Sequence, residues 1–387
     1  MAQQEFESPS ALPGQAKRRP KEPIAVRGSE FTGNRALRGV VIASLSGLIL
    51  LWAPIARTGI WDPVELRIAD LAARVSSTLF HAKLGTAVTS PPMSLPTLGE
   101  LGRGELPYTS IALGFKLFGL HDWAGRLPLI LWTVVALVAM VAWLRKYGGS
   151  RAAAWAALVF PTLPILFLQA RFMLGDATTM ACQFACFASL CVACLDGPSG
   201  VRVPIRTRWL WLCVALVAGV LGVLSRGLLI GVAVPFLAVG LAGLTFESKK
   251  ASVDGGKVRS VAALSIGTIA LAIAVSAAMR TGSIRGIWLL LRGANYQADY
   301  HPHSFDVAIA QLGHGLFPWS GFALFALILA FFEIQKSTTK RQTAQALVAL
   351  CALVFLTVAA QSWLGGFGVT MPFPGIVALV ALMGIAL

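Results

Sequence analysis

The chain has 387 residues, of which 56% are hydrophobic and 13% charged. With a mean hydropathy of +0.73, that is too much apolar surface for one water-soluble core. Its net charge of +15 comes from basic clusters set between apolar runs, as in cytoplasmic membrane loops, and no segment has the composition of a nucleic-acid-binding module.

In chain order, residues 1–38 are polar, carry seven Lys and Arg and lack apolar periodicity, so they read as a disordered cytoplasmic tail. Residues 39–387 read as one all-α, polytopic membrane domain. Matching apolar runs to bilayer thickness predicts about ten spans, at 39–56, 126–144, 152–170, 176–195, 209–224, 227–246, 260–279, 307–332, 344–364 and 370–387. The first reads as a retained signal anchor. Only Ser225 and Arg226 separate the fifth and sixth, which calls for a tight hairpin or one broken element. The chain ends at Leu387 inside an apolar run, which reads as a truncated C-terminus.

The six cysteines, Cys182, Cys186, Cys191, Cys194, Cys213 and Cys351, lie within apolar runs, which argues against a disulfide framework. Cys191 and Cys194 imitate a CxxC pair but have no histidine or second pair nearby, so they read as small apolar helix residues.

With the N-terminus inside, the segments 145–151, 196–208, 247–259 and 333–342 carry three, three, four and three Lys and Arg. The positive-inside rule then leaves 57–125 and 280–306 as long outer loops. Asp62, Glu65, Asp70, Glu100, Glu105, Asp122, Asp176, Asp299 and Asp306 all fall on that side or at its boundary. The first outer loop, at about 70 residues, is too long for a plain connection. Val64, Ile68, Leu71, Val75 and Leu79 recur at helical spacing, predicting an amphipathic helix over 63–81 along the membrane surface. A second interfacial or re-entrant helix is expected over 107–120.

The first charged cluster, within WDPVELRIADLA at 61–72, has a structural explanation and a functional one. Asp62, Pro63 and Glu65 suit a helix start, where free amides want an acceptor and a proline needs no donor. Capping does not account for Arg67, nor for the gathering of other ionisable groups near the same membrane boundary, which marks a pathway or reaction site.

Four stretches in fixed order carry a resemblance: WDPVELRIADLA at 61–72, FKLFGLHDWAGRLP at 115–128, ARFMLGDATTM at 170–180 and LSRGLLIGVAVP at 224–235. HPHSFDVAIAQLGHGLFPW at 301–319 is a weaker fifth. Together they resemble the polyprenyl-phosphate-sugar glycosyltransferases of the GT-C class, with the lipid A aminoarabinose transferases and protein O-mannosyltransferases nearest in pattern. The resemblance places the family's motif Glu on Glu65 and its Arg on Arg67, with Val64 at the usual Asp position and Ile68 at the usual Tyr. Arg103, Gly104 and Glu105 stand where the family has lysine and two prolines.

The resemblance implies sugar transfer from a polyprenyl-phosphate donor to a lipid, glycan or protein acceptor, by one inverting displacement. The leaving phosphate calls for guanidinium groups, for which Arg67, Arg103 and Arg226 are the candidates. The acceptor hydroxyl calls for a carboxylate base, for which Glu65 and Asp176 are the candidates, with Asp62 as substitute for the missing aspartate. Tyr300, His301 and His303 form a candidate headgroup or divalent-metal cluster, although two histidines across a proline are not a recognised ligand spacing. Each site has a plainer alternative: Asp176 as a helix cap, Arg226 as a snorkelling anchor, Arg103 as a solvated loop residue. Two rival functions stay open, a non-catalytic scaffold of the same fold and a lipid or solute transporter.

Overall fold

A computed structural model describes residues 38–40, 42, 44–47, 59–60, 63–80, 94–195, 203–245, 255–279, 305–336, 341–365 and 371–387. All regular structure among them is helical. Most of the predicted first span, and all of 280–304, lie outside the described residues.

The amphipathic segment is helix α1, Val64–Leu79. Ile68, Leu71 and Val75 are buried as the stripe requires, against Tyr108, Ile111 and Phe115 of α2, Leu106–Phe118. Two positions depart from the pattern, because Leu79 is exposed while Glu65 is wholly buried. Pro63 stands at the cap position of α1 and makes no side-chain cap bond, and Asp62 lies outside the described residues. Between α1 and α2, Thr97 and Glu100 close a capping box around the single turn Leu98–Leu101: Glu100 accepts from the Thr97 N–H at 2.7 Å and hydroxyl at 3.0 Å. Those bonds, the backbone one first, hold the Glu100 carboxyl below its ordinary 4.5. The clasp is therefore complete above pH 4.5 and is lost as pH falls through the depressed value. Arg74 of α1 reaches Glu100 at 3.5 Å.

The long helices follow: α3, Asp122–Tyr147; α4, Ser150–Val159; α5, Pro164–Arg171; α6, Ala177–Cys194; α7, Ile205–Leu228; α8, Val234–Leu244; α9, Gly255–Met279; α10, Asp306–Gly315; α11, Ser320–Lys336; α12, Arg341–Gly365; and α13, Ile376–Ala386. Among the described residues five elements are long and apolar enough to cross a membrane, or up to seven if each bent pair is one span. The predicted span 152–170 is such a pair, α4 and α5 bent by 65° where Pro161 and Pro164 remove helix donors. The predicted span 307–332 breaks by 111° between α10 and α11, at Pro318. The two breaks meet, since Trp319 Nε1 donates to Thr162 Oγ1 at 3.0 Å.

The fifth and sixth predicted spans form a hairpin. Arg226 and Gly227 leave helical geometry at the end of α7, Gly227 with φ 81°, and the chain turns back through a short π-helical stretch into α8. A straight helix would hold Gly222 and Gly231 roughly 13 Å apart along its axis. Here a Cβ on Gly222 would lie 2.7 Å from the Gly231 Cα, so the arms are pressed backbone to backbone. Gly222→Val is expected to cost about 1–3 kcal/mol by overpacking, read as a lowered thermal midpoint in detergent.

Helix α6 is the core, almost entirely buried. It runs parallel to α3 in fixed register, with Trp143 against Phe187 at 5.8 Å and Tyr147 hydroxyl donating to the Cys191 carbonyl at 3.1 Å. Both contacts are 44 residues apart, so the same offset sets Asp176 level with Trp132, ten residues along α3. That is roughly 15 Å below its first residue at a 1.5 Å rise. Helix α2 is antiparallel to α3, with Gly114 against Ala124 and Pro128, and Trp132 Nε1 donating to Ser110 Oγ at 3.1 Å. It therefore reaches the Asp176 level beside α3. Arg145, Lys146, Arg151, Arg206, Arg208, Lys257 and Arg259 sit at the opposite end of their helices.

Candidate active site

Two tiers of buried charge stand at the α3 N-terminal end, joined by Phe172–Asp176 between α5 and α6. In the upper tier Arg126 donates from Nε to Glu65 Oε1 at 2.8 Å and from Nη2 to Oε2 at 2.9 Å. Both side chains have no exposure. Arg126 also donates to the Gly59 carbonyl at 2.8 Å and lies over the Phe172 ring at 5.5 Å. The Met173 N–H donates to Glu65 Oε1 at 2.9 Å, so the pair grips the connecting loop as well as itself.

In the lower tier Arg226 donates from both Nε and Nη2 to Asp176 Oδ1, at 3.0 and 2.7 Å. Arg103 Nη1 donates to Asp176 Oδ2 at 3.1 Å and to the Leu174 carbonyl. The two guanidiniums thus share one carboxylate. Arg67 is exposed on α1. Of the three groups bonded to each other, Arg103 is the most accessible, its side chain 17% exposed against 6% for Asp176 and 2% for Arg226.

The local backbone explains the convergence. Gly175 takes φ +85°, which only glycine adopts freely, and a Cβ there would stand 2.9 Å from Arg103 Nη1. The Asp176 N–H donates to Gln169 Oε1 at 3.3 Å, and Thr178 donates to the Gly175 carbonyl at 2.8 Å. Thr178 and Thr179 hydroxyls meet Ser225 Oγ at 2.9 and 2.7 Å, beside Arg226. The Gly104 N–H donates to the Ser225 carbonyl at 2.9 Å, fixing the Arg103 loop on the α7 break. Tyr108 donates to the Leu101 carbonyl at 2.6 Å and closes the same loop from α2.

The structure brings together Asp176, Arg226 and Arg103, drawn from three separate segments, and sets Glu65 in the tier above. It gives Glu65 a place the sequence did not suggest: sealed from solvent, with both oxygens taken by Arg126. Asp62, Tyr300, His301 and His303 lie outside the described residues. Among the described residues no group of three or more His, Cys, Asp or Glu could hold a metal ion. Sequence reasoning left Arg126 without a role, although a lone arginine in the first turns of a long apolar helix is the signal of a buried partner.

The helical fold is that of solved membrane proteins of GT-C architecture. Residues 106–279 match the sequence family described as dolichyl-phosphate-mannose-protein mannosyltransferase. The chain is similar to ArnT from Cupriavidus metallidurans bound to undecaprenyl phosphate, at 17% identity and TM-score 0.63, over 90% of this chain and 59% of that one. Against apo ArnT the values are 18%, 0.59, 91% and 59%. Against the oligosaccharyltransferase AglB from Archaeoglobus fulgidus, in complex with an inhibitory peptide and a dolichol-phosphate, they are 16%, 0.51, 92% and 50%. The chain has their fold and spans between half and three fifths of their length. No curated protein matches it in sequence.

Proposed function

We propose that this chain is a glycosyltransferase of the bacterial inner membrane, which moves a sugar from a polyprenyl-phosphate donor to a lipid, glycan or protein acceptor. The observation that carries this reading is the lower tier, one carboxylate shared between a sealed arginine and a partly open one. Asp176 Oδ1 is held twice by Arg226, whereas among the contacts described Oδ2 is held by Arg103 alone. A donor phosphate draws Arg103 onto its own oxygens, because a guanidinium fork suits phosphate. That exchange frees Oδ2 to accept a proton. The acceptor oxygen then attacks the anomeric carbon, its proton passes to Oδ2, and the sugar–oxygen bond breaks with its electrons going to the phosphate beside Arg103. One displacement inverts the anomeric centre.

Glu65 acts by position in this scheme, holding the Met173 amide and so the loop that aims Asp176. Exposing it to substrate would break a buried pair, which costs about 3–5 kcal/mol. Arg67, together with Asp62, Tyr300, His301 and His303, remains a proposed contributor to donor or acceptor binding. The basic residues at the opposite end support, by the positive-inside rule, a site on the periplasmic face.

The test is incubation of the purified chain with labelled polyprenyl-phosphate sugars and a membrane extract, followed by identification of the labelled product. Arg103→Ala is expected to weaken binding of undecaprenyl phosphate at least about tenfold, since one hydrogen bond to a charged group is worth about 1.5–3 kcal/mol. Unchanged affinity in a direct binding titration would remove Arg103 from the donor site. A scaffold would show no transfer with any donor, and a transporter would move lipid in vesicles without acceptor.

A further inference from the structure

A buried corner of neutral polar groups stands apart from the charged tiers. Gln361 of α12 donates from Nε2 to Gln311 Oε1 of α10 and to the Met371 carbonyl, both at 2.9 Å, and Gln311 Nε2 donates to the same carbonyl at 2.9 Å. One turn earlier on α12, Thr357 Oγ1 accepts from Gln183 Nε2 of α6 at 3.1 Å. Every one of these bonds joins uncharged groups. Two acceptors are left over, Gln361 Oε1 and Ser362 Oγ. Their residues are only 3% and 8% exposed, and neither atom has a hydrogen-bond partner among the described residues. A buried polar atom left unpaired is costly, so two on neighbouring residues mark a place where donors are to be supplied.

The depth of the corner shows which donors. Arg151, at the basic end, donates to the Leu387 carbonyl at 2.9 Å, so α13 ends there. Gln361 meets Met371, and a Cβ on Gly375 would lie 3.2 Å from Thr357 Cβ, so α12 runs the other way and its last turns reach the Asp176 end. Asp176 comes seven residues before Gln183, nearly two full turns, and so stands over it on one face of α6. That places it about 10 Å nearer the same end. Gln361 stands one turn, about 6 Å, above Thr357 on the facing side of α12. From their common base at the Gln183–Thr357 bond, the carboxylate and the unpaired amide oxygen therefore rise on facing helices to within about one turn of the same depth.

A ligand that bonds Gln361 Oε1 and Ser362 Oγ from beside Asp176 must offer two donors close together. It must also be neutral there, since no carboxylate takes part in the bonds of the corner and an ammonium would be buried without a counter-charge. Adjacent sugar hydroxyls meet both demands. We propose that this corner reads the hydroxyls of a neutral hexose, the sugar being transferred, which makes Gln361 and Ser362 specificity-determining residues. The assignment rests on the function proposed above and adds the class of sugar and the groups that recognise it.

The experiment titrates the full chain in detergent with undecaprenyl phosphate and with undecaprenyl phosphates carrying glucose, mannose or galactose, and reads the ratio of glycosyl to bare-carrier affinity. At least one hexose is expected to bind better than the bare carrier. Ser362→Ala breaks no bond described here and removes an unpaired buried hydroxyl, so its thermal midpoint should hold or rise while the hexose advantage falls about fivefold, the worth of one neutral hydrogen bond. Gln361→Leu should lower the advantage at least as far. Affinity for the bare carrier should be unchanged in Ser362→Ala. No advantage for any hexose in the unaltered protein would overturn the assignment, as would an unchanged ratio in Ser362→Ala, the result expected if the corner holds only water. An equal loss for both ligands would make the corner a structural clasp and overturn it too. Hexose-dependent binding without transfer would sink the proposed function alone, while transfer with a ratio untouched by either variant would sink this inference alone.

Discussion

Asp176→Asn is expected to lower sugar transfer by about 10²- to 10⁴-fold, the usual contribution of a positioned general base. The amide keeps the shape of the carboxylate and an oxygen for Arg226, so the fold and the binding of polyprenyl phosphate should persist. Loss of the charge does leave Arg226 and Arg103 facing each other with less compensation. For that reason thermal stability and donor binding are measured on the same sample as turnover. A folded Asp176→Asn protein that binds donor and transfers sugar at the original rate would take this residue out of the chemistry.

Arg126→Ala should be the most damaging single change to stability. It strands the Glu65 carboxylate in a site with no solvent exposure, and breaking such a pair costs about 3–5 kcal/mol. The double replacement Glu65→Leu with Arg126→Met removes both charges and should recover most of that loss, since apolar groups of similar size often replace a buried pair without penalty. Transfer should stay low in the double variant, because a leucine side chain cannot accept the Met173 amide and the loop bearing Asp176 would lose its anchor. Thermal unfolding read beside turnover separates the two roles. If Arg126→Ala melts with the unaltered protein, the upper tier is not a structural clamp. If the double variant regains full transfer, the loop needs no anchor from Glu65.

Much of the architecture was legible in the sequence for a simple reason. Apolar length and helical periodicity are local properties, so helices α1 and α2 and the long apolar runs of α3, α6, α7, α9 and α12 could be read from composition. The candidates Asp176, Arg226 and Arg103 were visible because charge is conspicuous in an oily chain. Bends were harder. The turns at Pro161–Pro164 and Pro318 interrupt runs of spanning length, and hydropathy averages over a proline without registering the angle.

Partnership was not legible at all. Glu65 and Arg126 are 61 residues apart, and Arg226 lies 50 residues from Asp176, separations over which no pattern of spacing carries information. From the sequence Glu65 looked like a base at a helix start, since nothing local says that α1 turns that residue inward onto α3. Its burial is decided by packing, as is the depth of Asp176, which follows from a register between α3 and α6 that only their contacts disclose. The order of residues thus settled that this is a helical membrane protein with acid and base near one boundary. Tertiary structure alone decided which charges meet, which is sealed and which stays open, because desolvation and Coulomb attraction depend on distance in space rather than along the chain.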